Sequence, residues 1–291
     1  MKYLNLFWLL LLALSCKNDK SVQENSSTKQ TIDNTSTKLP LNIVVLLDLS
    51  SRVKLPNQVA KDTLTIKSVL NTFENLQRKY AFMASKDKIS ILSAYQSAST
   101  YDGYKIGNDK FMIDMLYQAS KPMNKPIFDQ KRVDLENAVR ELYSAAVKSP
   151  TDGADIWGFF CNDWHNFYQA SMHNKIIILT DGYLQFDKSI TTKRAKGTYM
   201  TGLEKLRNKP NWEAVFAAQK LKLNACPNPI ENTEVLVLEI APQNKSVNTN
   251  EIQIIQKFWK TWFNDMHLKS DIFDTNDGDI NKGKINEFLM K

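Results

Sequence analysis

The sequence predicts an α/β domain built on a doubly wound, mostly parallel sheet with helices on both faces. Three aliphatic runs carry this expectation: "LNIVVLL" (41–47), the core of "NKIIILTDG" (174–182) and the core of "TEVLVLEIAP" (233–242). Unbroken apolar runs of this length mark strands buried on both faces, which belong to parallel sheets covered by helices. The stretches between them carry apolar residues at helical spacing, and strands that alternate with helices imply βαβ crossovers.

The elements follow in order. Residues 57–80 place Val59, Leu64, Ile66, Val69, Leu70, Phe73 and Leu76 on one side of an amphipathic helix. "DKISILSAYQ" (87–96) is a second strand. "RVDLENAVRELYSAAVKS" (132–149) is a helix with Leu135, Ala138, Val139, Leu142, Ala145 and Ala146 inward. Residues 250–266 form a helix whose buried side holds Ile252, Ile255, Trp259, Trp262 and Met266. A short strand at 270–273 and a helix at 279–290, with Asp279 as its N-cap, finish the chain. The regions 97–130 and 188–202 read as insertions or long loops. There is no internal repeat, so one domain over 40–291 is expected.

The first residues are of another kind. Lys2 is followed by the nearly unbroken apolar run Leu4–Leu14, too short for a spanning helix and suited to a cleaved signal peptide over 1–15. The run ends Ala13-Leu14-Ser15-Cys16, which resembles the lipobox of bacterial lipoproteins. That resemblance implies lipidation of Cys16 and an extracytoplasmic, membrane-anchored protein in the cell envelope, on the periplasmic side or the cell surface. Residues 16–39 are rich in Ser, Thr, Asn and Lys and read as a disordered tether with a reach of about 25 Å. Of the remaining cysteines, Cys161 and Cys226 either pair, as an oxidising compartment allows, or stay as buried thiols. The formal net charge is +7, the basic residues read as scattered, and no arginine-rich arm points to nucleic acid.

Two buried strands deliver a carboxylate to their carboxyl ends. "NIVVLLDLSSRV" (42–53) ends its strand in Asp48 followed by Ser50, and Thr180-Asp181-Gly182 closes the run at 174–182. In open parallel sheets this edge is where ligands bind. An Asp leaving an aliphatic strand needs a cation, backbone donors or water. Two carboxylates with hydroxyls suit a hard divalent ion such as Mg²⁺. Backbone capping by the same Asp residues is the other reading.

This pattern resembles the von Willebrand factor type A (VWA) domains, whose metal-ion-dependent adhesion site (MIDAS) reads Asp-x-Ser-x-Ser, then a Thr loop, then an Asp. The resemblance assigns Asp48, Ser50 and Asp181 as metal residues. Arg52 stands where the third ligand would be Ser. In "TDGADIWG" (151–158), Ala154 falls at the Thr position, with Asp155 beside it as a replacement carboxylate and Thr151 three residues earlier. Arg52 either pairs with Asp48 or Asp181 and replaces the metal, or points away and leaves a site of Asp48, Ser50, Asp181 and Asp155. The resemblance implies a protein-binding, adhesion-type module that is not an enzyme, in which an acidic side chain of the partner completes the shell of a bound Mg²⁺. A metal-dependent hydrolase on the same carboxylates and a metal-free scaffold are the alternatives.

Other motifs carry less. "DTNDGDINKGKINE" (274–287) puts Gly and Glu at the wrong places for a calcium loop, and "GTYMTGLEK" lacks the Lys-Ser/Thr of a phosphate loop. "FFCNDWHNFY" (159–168) reads either as a partner surface beside the site, with Trp157, Trp164 and Tyr168 as anchors, or as a helix packed on the sheet.

Overall fold

The computed structural model describes residues 39–79, 82–94, 109–116, 122–189, 191–242, 250–274 and 278–291. The signal peptide, the lipidation at Cys16 and the tether lie outside the described residues. Leu39–Lys291 forms one compact unit. None of the described helices is long and apolar enough to cross a membrane.

The main sheet contains β1 (Leu41–Leu47), β2 (Lys88–Ser93), β3 (Met112–Asp114), β4 (His173–Leu179), β7 (Thr233–Leu238) and β8 (Lys269–Ile272). Its order is β3-β2-β1-β4-β7-β8, and β3 alone runs antiparallel. In register, Val45 lies between Ile91 and Ile177. The doubly wound α/β architecture expected from the aliphatic runs is the one observed.

The strand period of two sorts side chains onto opposite faces. Ile43, Val45, Leu47, Ile177, Leu179, Leu236 and Leu238 face one core, closed by α1 (Gln58–Lys79), α2 (Lys125–Lys148) and α7 (Gly278–Met290). Val44, Leu46, Ile176, Ile178, Val235 and Val237 face the other. That core is closed by the short helix α3 (Ile156–Gly158) with the turns after it, and by α4 (Leu203–Leu206), α5 (Trp212–Ala218) and α6 (Glu251–Asp265).

Several elements differ from expectation. α2 begins at Lys125, because Asn124 accepts a hydrogen bond from the Ile127 N–H at 3.0 Å and Pro126 suits the first turn. β3 lies inside a stretch expected to be loop, and three residues are too few to show a period. Residues 188–202 contribute to a hairpin of β5 (Gln185–Lys188) and β6 (Ala195–Thr198). Leu64 is 58% exposed, whereas Ile254, Phe258 and Phe263 join the buried side of α6. Asp279 lies inside the first turn of α7, which starts at Gly278. Cys161 and Cys226 form a disulfide that ties the turn after α3 to the segment leading into β7.

Candidate functional site

β1 and β4 are neighbours, and the chain leaves β1 for β2 on the far side from β4. Strand order reverses between them, and in open parallel sheets the carboxyl edge at such a reversal is where ligands bind. Asp48 sits at that edge, and its backbone N–H donates to the Leu179 carbonyl at 3.0 Å. Asp48 Oδ1 accepts the Ser50 N–H at 3.0 Å, and Oδ2 accepts the Thr180 hydroxyl at 2.7 Å. One oxygen is thus held by its own loop and the other by the neighbouring strand end.

Asp181 follows Thr180, and its Oδ1 accepts the Tyr183 N–H at 3.2 Å. The turn requires Gly182, which has φ of 93°. A Cβ there would fall 2.4 Å from Ile240 Cδ1 and 2.7 Å from Ile255 Cγ2. Ser50 is bridged to Thr151, and the Ser51 N–H donates to the Thr151 carbonyl at 2.7 Å. The third loop therefore meets the Asp48 segment at Thr151, while Ala154, expected at the Thr position, is a core residue. Asp48, Ser50, Thr151, Thr180 and Asp181 are all buried.

The Asp155 carboxylate has protein partners of its own. Its Oδ1 caps α3 by accepting the Gly158 N–H at 2.7 Å and also accepts the Tyr199 hydroxyl at 2.8 Å. Burial raises its pKa, against those hydrogen bonds.

Arg52 makes its ion pairs with neither Asp48 nor Asp181. Its guanidinium meets Asp62 of α1 with two bonds, Nη1–Oδ2 at 2.9 Å and Nη2–Oδ1 at 3.1 Å, and Nη2 reaches Glu239 Oε2 at 3.1 Å. Nη1 also donates to the backbone carbonyl of Asp48 at 3.2 Å, which braces the site loop from below. The cluster is closed by Gln58 on Asp62 and Glu239, by the Tyr143 hydroxyl on Asp62 at 2.9 Å, and by Thr65 on Glu239 at 3.3 Å. Burial alone would lower the Arg52 pKa, but Asp62, Asp48 and Glu239 overcome it and raise it. Burial, then the Asp62 charge, pushes Glu239 up to about 7. The same two causes hold Tyr143 well above its ordinary value.

None of Asp62, Glu239, Gln58 or Tyr143 stood out in the sequence. The one legible signal was Glu239, a carboxylate ending an aliphatic run as Asp48 and Asp181 do.

The aromatic partner surface is corrected. Trp157 is 8% exposed, stacks on Tyr199 at 4.8 Å and donates from Nε1 to the Asn224 carbonyl. Trp164 is 3% exposed among Phe159 and Tyr168. Tyr168 lies at the other end of the sheet, next to Phe167, whose carbonyl accepts from Asn42 at the start of β1. Packing between sheet and helices accounts for Trp157 and Trp164, whereas Tyr168 is half-buried against the edge of that core.

A scan of family models finds no match, and no curated protein matches the sequence. Among solved structures, the chain is similar to the pilus adhesin SpaC of Lactobacillus rhamnosus GG in its open conformation. The two are 13% identical with a TM-score of 0.40 over 86% of this chain and 30% of SpaC. The vWF domain of the type V pili tip protein Mfa5 from Porphyromonas gingivalis is 10% identical, with a TM-score of 0.41 over 88% of this chain and 97% of that domain. Proximal thread matrix protein 1 from the mussel byssus is 10% identical, with a TM-score of 0.37 over 87% of this chain and 48% of the other. The chain thus spans less than half the length of SpaC and of the byssus protein.

Proposed function

We propose that this is an envelope-anchored, protein-binding module of VWA-like design. In this reading the strand-end site holds Mg²⁺ and takes an acidic side chain of its partner. One observation carries it: Asp48, Ser50 and Asp181 stand at the switch point, while the cation that would compete, Arg52, is neutralised by Asp62 and Glu239.

The donor set fits the ion. Only oxygen ligands are present, and an ionised carboxylate accepts about four hydrogen bonds or metal contacts, so Asp48 retains capacity beyond Ser50 and Thr180. No group of three His, Cys, Asp or Glu gathers among the described residues. The ion would therefore rest on two carboxylates, the Ser50 hydroxyl and water, which suits Mg²⁺ better than Ca²⁺. Bound there, the ion would supply unsatisfied positive charge for a partner carboxylate. Asp48 and Asp181 would hold it, directly or through water, and the Asp155 carboxylate stays with its cap. Anchoring at Cys16 and the tether would present the site away from the membrane.

Thermal unfolding of the soluble domain in EDTA and in excess Mg²⁺ tests this. At a hundredfold excess over the dissociation constant, binding adds about 2.7 kcal/mol, or roughly 5–11 °C for a domain of this size. Asp48→Ala should abolish the shift. The same melting temperature in EDTA, Mg²⁺ and Mn²⁺ would instead favour a metal-free scaffold.

A further inference from the structure

The positive charge of the chain is concentrated. Residues 188–222 hold nine Lys or Arg and two acidic residues, a surplus of seven that equals the +7 of the whole sequence. The remainder is balanced, with 29 of each sign. The basic residues are therefore less scattered than the sequence reading has them: the excursion between β4 and β7, residues 180–232, holds nine basic and five acidic residues, and its surplus is densest within 188–222.

The β5–β6 hairpin is the part of this excursion fixed beside the candidate site. Phe186 and Tyr199 pack at 4.7 Å, Trp157 stacks on Tyr199, and the Tyr199 hydroxyl joins Asp155 and Ser189 at 2.8 Å each. Gly153 lies against the β5 backbone so closely that a Cβ would be 2.6 Å from the Gln185 carbonyl oxygen. On this base Lys188, Lys193 and Arg194 are exposed and pair with no described acidic residue, whereas Lys196 pairs with Asp152. Ala195, Lys196 and Thr198 are exposed too, and among the described residues β6 pairs only with β5.

We propose that this hairpin docks an extended acidic segment of a partner polypeptide, laid along the outer edge of β6 with its carboxylates toward Lys188, Lys193 and Arg194. The proposal rests on the reading of the protein as a protein-binding module and adds to it a surface that needs no metal. A free strand edge supplies main-chain hydrogen bonds to an extended peptide, and flanking charge supplies selectivity. Nucleic acid fits less well. Seven of the nine cations are Lys, Arg207 is committed to Glu251, and the segment's aromatic rings Tyr199, Trp212 and Phe216 are at least half-buried. A membrane surface fits less well too, because no exposed large apolar residue lies in the described part of this segment.

Fluorescence anisotropy of a labelled oligo-glutamate peptide with the full chain in EDTA tests the proposal. A single-stranded oligonucleotide and phosphatidylglycerol vesicles serve as parallel probes. The peptide should bind more tightly than either, and affinity should fall as salt rises. The combined variant Lys188→Glu, Lys193→Glu, Arg194→Glu should lose about tenfold or more. Lys67→Glu, Lys257→Glu, Lys260→Glu makes the same charge change on exposed residues elsewhere and should retain binding. In EDTA the strand-end site takes no ion, so failure of the metal site would leave this result standing. Absent peptide binding, equal loss in both triple variants, or tighter binding of the oligonucleotide or vesicles would overturn the proposal. Unchanged melting temperatures exclude misfolding as the cause of a loss.

Discussion

At Arg52 a permanent charge is held inside the protein by Asp62 and Glu239. Breaking such a pair by removing one member leaves an uncompensated buried charge, at a cost of about 3–5 kcal/mol. Arg52→Ser would write the missing MIDAS residue into the sequence, yet it would strand Asp62, which is fully buried. We expect a loss of that size by denaturant unfolding; a loss below about 1 kcal/mol would contradict the network described. Glu239 gives this cluster a pH dependence. Its folded pKa of about 7 lies above the ordinary 4.5, so its contribution is fully present below about pH 4.5 and lost as pH rises through 7. Over that window wild type should lose about 3 kcal/mol relative to Glu239→Gln. Parallel stability–pH curves for the two proteins would refute the assignment.

The elements show where sequence patterning carries information. Buried strands were legible because burial on both faces forces unbroken aliphatic runs, and Asp48 and Asp181 were legible because a carboxylate interrupts them. Asp62, Gln58 and Tyr143 were not, since polar residues on an amphipathic helix look like its solvated face until another element covers them. The β5–β6 hairpin was not legible either: its strands are four residues each and mostly polar. Two element-level links can be tested. The Cys161–Cys226 disulfide closes a separation of 65 residues. Its removal by Cys161→Ser with Cys226→Ser should cost about 2–4 kcal/mol, read as a lower denaturation midpoint, whereas an unchanged midpoint would show that it constrains nothing. Gly182→Ala forces a side chain onto Ile240 and Ile255 at positive φ. It should destabilise by more than about 1 kcal/mol and weaken any ion response, because the same turn positions Asp181; full stability would argue against this turn geometry.

For the molecule as a whole, two features converge on the carboxyl edge of the sheet. One is the cluster of oxygen donors at the ends of β1 and β4. The other is the basic hairpin tied through Tyr199 and Asp155 to the loop that meets Ser50. An ion at the first and cations on the second would both select acidic partners, so a partner with several carboxylates would engage both. The charge asymmetry was present in the sequence, but it becomes a surface only when the excursion between β4 and β7 is seen to fold beside the site. Calorimetric titration of Mg²⁺, with Mn²⁺ in parallel, into wild type, Asp48→Ala and Asp155→Asn decides whether the strand-end site holds an ion. One ion per chain should bind to wild type and to Asp155→Asn, and none to Asp48→Ala. Absence of binding in wild type, or binding that survives Asp48→Ala, would contradict that site.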